Sequence, residues 1–374
     1  MSYEFSITGK KRLFKCIKQF IILNSSFIIL LSSCSIEKQI SKSARADVLN
    51  TKALQAAHVG ISIFDPSANK YLYNYQADKY FVPASNTKIP TCYAAMKYLG
   101  DSLVGLRYGV PEEKGFEEQV IAIMPTGDPT FLEKSYSSQP VFDFLYNKIR
   151  KQGLKLALFY DSTKGPDGLG NGWSWNDYEE PYMAEHNRFP VFGNIINVSL
   201  VPLAERVSID STRNWVPIYS LFKTGNNYFD KLLNQKQAWI NRFHKYSSPA
   251  IRIGRSFSSN DFYFEVTKIP FTTQQIPFVT NGMSAVSGFL DDTLKRKTEI
   301  IEYTGKQDQY AYYCEGCDIA FFTVKKWVPV YSQPTDSLLK PMMHRSDNFF
   351  AEQSLLMVSN EHLGYMNDAK IIDT

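Results

Sequence analysis

The sequence predicts an α+β protein in which an antiparallel sheet is flanked by helices. Three observations predict it. A hairpin pattern at residues 58–75 leads into a helix-period apolar stripe after Ser85. From about residue 101 to 280, short β-rich runs alternate with Gly, Pro and Asn turns. Two further helical patterns then meet at Ser346-Asp347-Asn348.

The hairpin consists of His58-Val59-Gly60-Ile61-Ser62-Ile63-Phe64, a turn at Asp65-Pro66-Ser67-Ala68-Asn69, and Tyr71-Leu72-Tyr73-Asn74-Tyr75. Next comes Pro83-Ala84-Ser85-Asn86-Thr87-Lys88. Apolar residues then recur at Ile89, Cys92, Met96 and Leu99, which predicts one buried helix stripe. Ser85 and Lys88 are three residues apart, so a helix start brings them to one face. A serine hydroxyl needs a base to become nucleophilic. A lysine serves as that base when burial lowers its pKa.

Ser-x-x-Lys alone is weak evidence, since it also occurs at Ser35/Lys38, Ser67/Lys70, Ser220/Lys223 and Ser337/Lys340. Only at Ser85 does it open an apolar helix, whose positive end favours developing negative charge. The competing explanation is an N-capping serine followed by a solvated lysine. The second chemical signal, Ser346-Asp347-Asn348, falls between two helices. On an extended connection Ser346 and Asn348 face one cleft while Asp347 faces away. Here the competing explanation is that Ser346 or Asp347 caps the second helix.

The chain has 374 residues, 44% hydrophobic and 21% charged, which are globular proportions. Its formal net charge is +4, and residues 1–34 alone carry that excess. The basicity therefore belongs to a targeting segment and gives no nucleic-acid surface. A basic run precedes the apolar stretch Phe20 to Leu31, which is too short to span a bilayer. Leu31-Ser32-Ser33-Cys34 follows and resembles a bacterial lipobox. That resemblance makes residues 1–33 a lipoprotein signal peptide, Cys34 the lipid attachment site, and 34–54 a polar tether carrying the start of the first helix. The alternatives are cleavage elsewhere or a short anchor. Either way the protein lies outside the cytoplasm, on the periplasmic side of a bacterial membrane.

Cys92 falls on the apolar stripe and is expected to pack as a small hydrophobe. Cys314 and Cys317 sit at the turn of a hairpin between Gln309–Tyr313 and Asp318–Phe322, where they could bridge locally. A structural zinc needs four ligands, and no second pair of cysteines is present. The glycine-rich run at residues 165–172 lacks the Gly-Lys-Ser/Thr of a phosphate loop. None of the five histidines forms His-Glu-x-x-His, the zinc-peptidase pattern. The aromatic content is assigned mainly to the core rather than to a glycan-binding face.

Taken together, the two signals resemble the class C low-molecular-mass penicillin-binding proteins, the serine D-alanyl-D-alanine carboxypeptidases and endopeptidases. Pro83–Lys88 resembles the family's first motif, and Ser346-Asp347-Asn348 with Ala351-Glu352 its second. Gly127-Asp128-Pro129-Thr130, Phe159-Tyr160-Asp161-Ser162, Gly172-Trp173 and Asn194–Val198 resemble its middle region. The 261-residue separation of Ser85 and Ser346 also resembles this class, in which an insertion splits the catalytic domain. The resemblance implies a penicillin-binding-protein/serine β-lactamase-like catalytic domain split by an insertion. Residues 55–100 and 281–374 would form its two parts and 101–280 the inserted β-rich domain or domains. It further implies acylation of Ser85, proton acceptance by Lys88, proton relay by Ser346, and positioning of Lys88 and substrate by Asn348. The implied partners are peptidoglycan stem peptides and β-lactams, with no metal or organic cofactor.

One departure stands out. The family's third motif, Lys-Thr-Gly, follows the second on a β-strand, whereas the only such triplet here is Lys223-Thr224-Gly225. It reads as a strand end or turn within the insertion, and as a chance match. On this reading the C-terminal part of the catalytic domain is missing and activity is impaired, since the third-motif strand supplies an oxyanion-hole donor worth ~10²–10³ in rate. Two other functions compete: a non-catalytic lipoprotein that binds peptidoglycan or a partner, and a β-lactamase.

Overall fold

The computed structural model describes residues 35–110, 120–161, 166, 168–202, 220–223, 230, 250–267, 273–303, 310–312, 320–322 and 324–374. The signal segment, Cys34, and both Cys314 and Cys317 lie outside the described residues. The chain divides into two compact units, Met1–Pro83 and Ala84–Thr374.

In the first unit, helix α1 (Ile36–Ser43) is capped by Ser35, whose hydroxyl accepts from the Lys38 N–H. The segment expected as a tether is therefore helical from its third residue. Strands β1 (Ile61–Asp65) and β2 (Lys70–Tyr75) pair antiparallel, as expected. Asp65 closes their turn by accepting from the Ser67 and Ala68 N–H groups at 2.9 and 3.2 Å. Lys70 reaches back to Glu37 on α1 at 2.7 Å.

The second unit begins with a 3₁₀ turn at Ser85–Thr87 that runs into helix α2 (Lys88–Tyr98). The buried stripe differs from the expected one. Lys88, Ala95 and Leu99 are buried and Cys92 partly so, whereas Ile89 and Met96 are 61% and 63% exposed. Cys92 and Leu99 of the expected stripe do face inward, but Lys88 and Ala95 take the places given to Ile89 and Met96, because an apolar pattern passes over a lysine. After α2 come β3 (Ser102–Gly109), β4 (Val120–Pro125), helix α3 (Pro140–Tyr146) and β5 (Lys155–Asp161). β4 and β5 are parallel, as a helical crossover permits, while β3 pairs antiparallel with β4.

The middle of the chain holds β6 (Ile195–Pro202), β7 (Ser220–Lys223), β8 (Ala250–Arg255), β9 (Phe262–Thr267) and β10 (Thr273–Pro277). β10, β6 and β7 form one antiparallel sheet and β8 and β9 a hairpin. Helix α4 (Ser284–Leu294) leads to β11 (Thr298–Tyr303), which joins the far edge of β5 in parallel. β12 (Tyr310–Tyr312) and β13 (Ala320–Phe322) pair antiparallel, giving the expected hairpin strands. β14 (Val328–Pro334) pairs antiparallel with β3.

The largest sheet thus has the order β11-β5-β4-β3-β14 and draws strands from both sides of residue 281. It is mixed rather than purely antiparallel, because α3 and α4 return the chain in the same direction. The α+β class stands. Gly105 on β3 lets α3 approach closely, since a Cβ there would lie 2.4 Å from the Val141 side chain.

Three helices complete the unit: α5 (Thr335–Arg345), α6 (Asn348–Leu363) and α7 (Asp368–Asp373). Ala95 and Leu99 of α2, Leu338, Leu339 and Met342 of α5, and Phe349, Phe350, Met357 and Val358 of α6 form one apolar cluster. Pro341 sits inside α5 and has no N–H for the Ser337 carbonyl one turn back. The Tyr136 hydroxyl donates to that carbonyl instead, at 2.9 Å. No helix among the described residues is long and apolar enough to cross a membrane.

Candidate active site

The site is built where α2 meets the junction of α5 and α6. The Asn86 side chain accepts from the Ala84 N–H at 2.8 Å, and Thr87 bonds the Ala84 carbonyl through its N–H and hydroxyl. These contacts fix the tight turn that presents Ser85. Lys88 follows at the first position of α2 and is only 6% exposed.

At the other side, α5 ends in Ser346, a residue in the left-handed region at φ 55°. Asp347 donates its N–H to the Met342 carbonyl and accepts from the Phe350 N–H at 3.0 Å, so it terminates one helix and caps the next. The capping explanation therefore holds for Asp347. It does not exclude chemistry at its neighbours, because the reversal between helices leaves Ser346 and Asn348 on the side facing α2.

The four polar side chains converge. Lys88 Nζ donates to Ser85 Oγ at 3.3 Å and to Asn348 Oδ1 at 2.5 Å. Ser346 Oγ donates to Ser85 Oγ at 2.6 Å. Burial holds the Lys88 ammonium below the ordinary lysine range, partly offset by the carboxylates of Asp347 and Glu352. Lys88 therefore needs less alkaline conditions to become a neutral amine beside the exposed Ser85 hydroxyl. A neutral amine at that position can accept the serine proton.

The other four Ser-x-x-Lys pairs have different settings. Ser35 caps α1, Ser67 lies in the hairpin turn, and Ser220 and Lys223 are the two ends of β7. Ser337 and Lys340 lie within α5, where Lys340 is exposed. Lys223 closes a strand, as expected for the stray Lys-Thr-Gly; Thr224 and Gly225 lie outside the described residues.

An open cavity of about 330 Å³ adjoins Ser346 and Asn348 and is lined also by Lys134, Tyr182, Asn197 and Gln275. Asn197 Oδ1 accepts from Lys134 Nζ at 3.0 Å and from Gln275 Nε2 at 2.8 Å. Among the described residues, no group of three His, Cys, Asp or Glu could hold a metal ion.

Two supporting residues had no assigned role in the sequence. Gln353, fully buried on α6, donates to the Gly127 and Asn187 carbonyls at 2.6 and 3.0 Å and accepts from the Asn187 N–H at 3.0 Å. It thereby holds the Gly127–Thr130 loop on the helix that carries Asn348. Inside that loop Asp128 accepts from the N–H and hydroxyl of Thr130. Burial raises the Asp128 carboxyl pKa, opposed by the hydrogen bonds it accepts. The other residue is Glu352, one turn beyond Asn348, which accepts from Trp173 Nε1 at 2.7 Å.

A model of the D-Ala-D-Ala carboxypeptidase 3 (S13) family matches residues 42–234, more than half of the chain. The chain belongs to that family. This bears out the resemblance to low-molecular-mass penicillin-binding proteins. Penicillin binding protein 4 from Haemophilus influenzae has a similar fold, with a TM-score of 0.52 at 16% identity over 83% of this chain. The match covers 64% of that structure, so the chain spans less than two thirds of its length. The same protein complexed with a novel β-lactam aligns over 85% of this chain at 14% identity and a TM-score of 0.45. No curated protein matches.

Proposed function

We propose that the protein is a serine D-Ala-D-Ala peptidase acting on peptidoglycan stem peptides through an acyl-enzyme at Ser85. The observation that carries this reading is the shared hydrogen bonding of Ser85 Oγ with both Lys88 Nζ and Ser346 Oγ. Membership of the S13 family supports the same reaction class.

Ser85 Oγ attacks the carbonyl carbon between two D-alanines while neutral Lys88 takes the hydroxyl proton. The C–N bond then breaks as Ser346 gives its hydroxyl proton to the departing amine and takes in its place the proton held on Lys88, which is again a neutral amine. Asn348, bonded to Lys88 through Oδ1, orients that amine and leaves its NH₂ for the substrate. Water attacks the acyl-enzyme carbonyl as Lys88 takes its proton; the ester bond to Ser85 Oγ then breaks, Lys88 returns that proton to Oγ, and the shortened peptide leaves with its new carboxylate. A β-lactam follows the first half of this course, because its ring amide stands in for the scissile bond.

Residues 55–100 and 281–374 are proposed as the two parts of the catalytic domain. Packing of α2 against α5 and α6 supports that division. Lipidation at Cys34, a periplasmic membrane location and the inserted character of residues 101–280 belong to the same proposal. Hydrolysis of a synthetic stem peptide, followed by the release of free D-alanine, tests the reaction. Release that is lost in Ser85→Ala supports it, and release that survives in Ser85→Ala contradicts it.

A further inference from the structure

Glu352 is a carboxyl that the reaction above does not use, yet it lies in the same layer of structure. Asn348 and Glu352 are four residues apart on α6 and share one helix face. The first bonds Lys88 and the second bonds the Trp173 indole. Trp173 in turn packs on Tyr182, with ring centroids 5.9 Å apart, and Tyr182 lines the cavity beside Ser346. One face of α6 thus ties the base to the wall of the cleft.

The surroundings of Glu352 are also charged. Lys88 on α2 and Asp368 on α7 both act on it. Asp368, His186 and Trp173 all approach Gly170, within 3.4–3.8 Å of where a Cβ would stand. Asp347, the cap of α6, acts on Lys88 as well. Burial raises the Glu352 carboxyl to about 7, the Asp368 carboxylate adds to that, and the Trp173 N–H and Lys88 oppose it.

We infer that Glu352 is a positioning residue of this site: it holds Trp173 against α6 and, standing one turn beyond the Asn348 that bonds Lys88, places its carboxylate where it favours the Lys88 ammonium. The inference rests on the acyl-enzyme reading for its purpose but not for its test. An ionised Glu352 favours the Lys88 ammonium, the form that cannot accept the serine proton. A protonated Glu352 favours the free amine. The Trp173 N–H stabilises the Glu352 carboxylate and so tilts Lys88 toward the ammonium.

The experiment titrates Lys88 in the full chain by competitive acetylation with acetic anhydride, resolved at Lys88 by mass spectrometry. Glu352→Gln keeps an acceptor for the indole and removes the charge. Its Lys88 midpoint is expected to fall by more than the error of the titration, with a larger fraction of free amine at every pH below the wild-type midpoint. Trp173→Phe keeps the carboxyl and removes its donor, and should shift the midpoint the same way by less. Unchanged midpoints in both variants overturn the inference. Should Glu352→Gln fail to fold, Trp173→Phe decides alone by the same criterion. The readout needs no turnover and works equally in Ser85→Ala. A chain that shifts in this assay but forms no acyl-enzyme with a fluorescent penicillin contradicts the function and leaves the positioning role standing. In a chain that is acylated, the acid limb of the acylation rate must shift with Lys88; a limb that stays put overturns the inference.

Discussion

Ser346 Oγ lies 2.6 Å from Ser85 Oγ although 261 residues separate them in the chain. The contact depends on the left-handed turn at Ser346 and on Asp347 capping α6 immediately afterwards. Ser346→Ala removes a proton donor from the nucleophile without disturbing either helix. Acylation by a fluorescent penicillin should fall by about 10²-fold or more, with an unchanged far-UV circular dichroism spectrum. An unaltered acylation rate would exclude Ser346 from the proton path.

Lys88 should behave as a buried base. Lys88→Arg retains charge but cannot deprotonate near neutrality, so acylation should fall by about 10²–10⁴-fold. In the wild type the rate should rise with pH through a midpoint below the ordinary lysine value. The folded state holds Lys88 less protonated than the unfolded chain does, so this residue's contribution to stability rises with pH across that window. Chemical denaturation of wild type and Lys88→Met at several pH values measures the difference, which should shrink as pH rises.

Glu352 has the opposite sign. Its carboxyl is raised from 4.5 to about 7 in the fold, so its contribution is fully present below 4.5 and is lost as pH rises through 7. Glu352→Gln should therefore gain on wild type by about 1–3 kcal/mol between acid and mildly alkaline conditions. Parallel urea titrations at the two ends of that range check it. A constant difference would contradict the raised value.

Tyr136 and Gln353 supply donors to backbone that the sequence leaves unpaired. Tyr136→Phe strands the Ser337 carbonyl that Pro341 cannot serve, at a cost of about 1–3 kcal/mol. Gln353→Leu removes three buried hydrogen bonds at once and should cost at least as much. Urea unfolding measures both, and losses near zero would show that water replaces those donors.

Much of the site could be read from the sequence because its motifs are local. Ser85 and Lys88 share a helix start, and Ser346 and Asn348 flank one capping residue, so short-range rules suffice to place each pair. Their convergence is a tertiary fact, carried by Leu339, Met342, Phe349 and Phe350 packing with Ala95 and Leu99. The buried face of α2 was misplaced because Lys88 belongs to it, and a lysine counts as polar in any apolar pattern. Mixed strand directions were missed because β5 and β11 owe their orientation to crossovers rather than to their own residues. Trp173 and Glu352, 179 residues apart, carry no local signal of their hydrogen bond.

The most direct test is intact-protein mass spectrometry of the full chain with excess penicillin, followed by peptide mapping. The account predicts a single adduct of penicillin mass on Ser85, absent from Ser85→Ala and slowed in Lys88→Arg. An adduct on any other residue, or one that persists in Ser85→Ala, would contradict it.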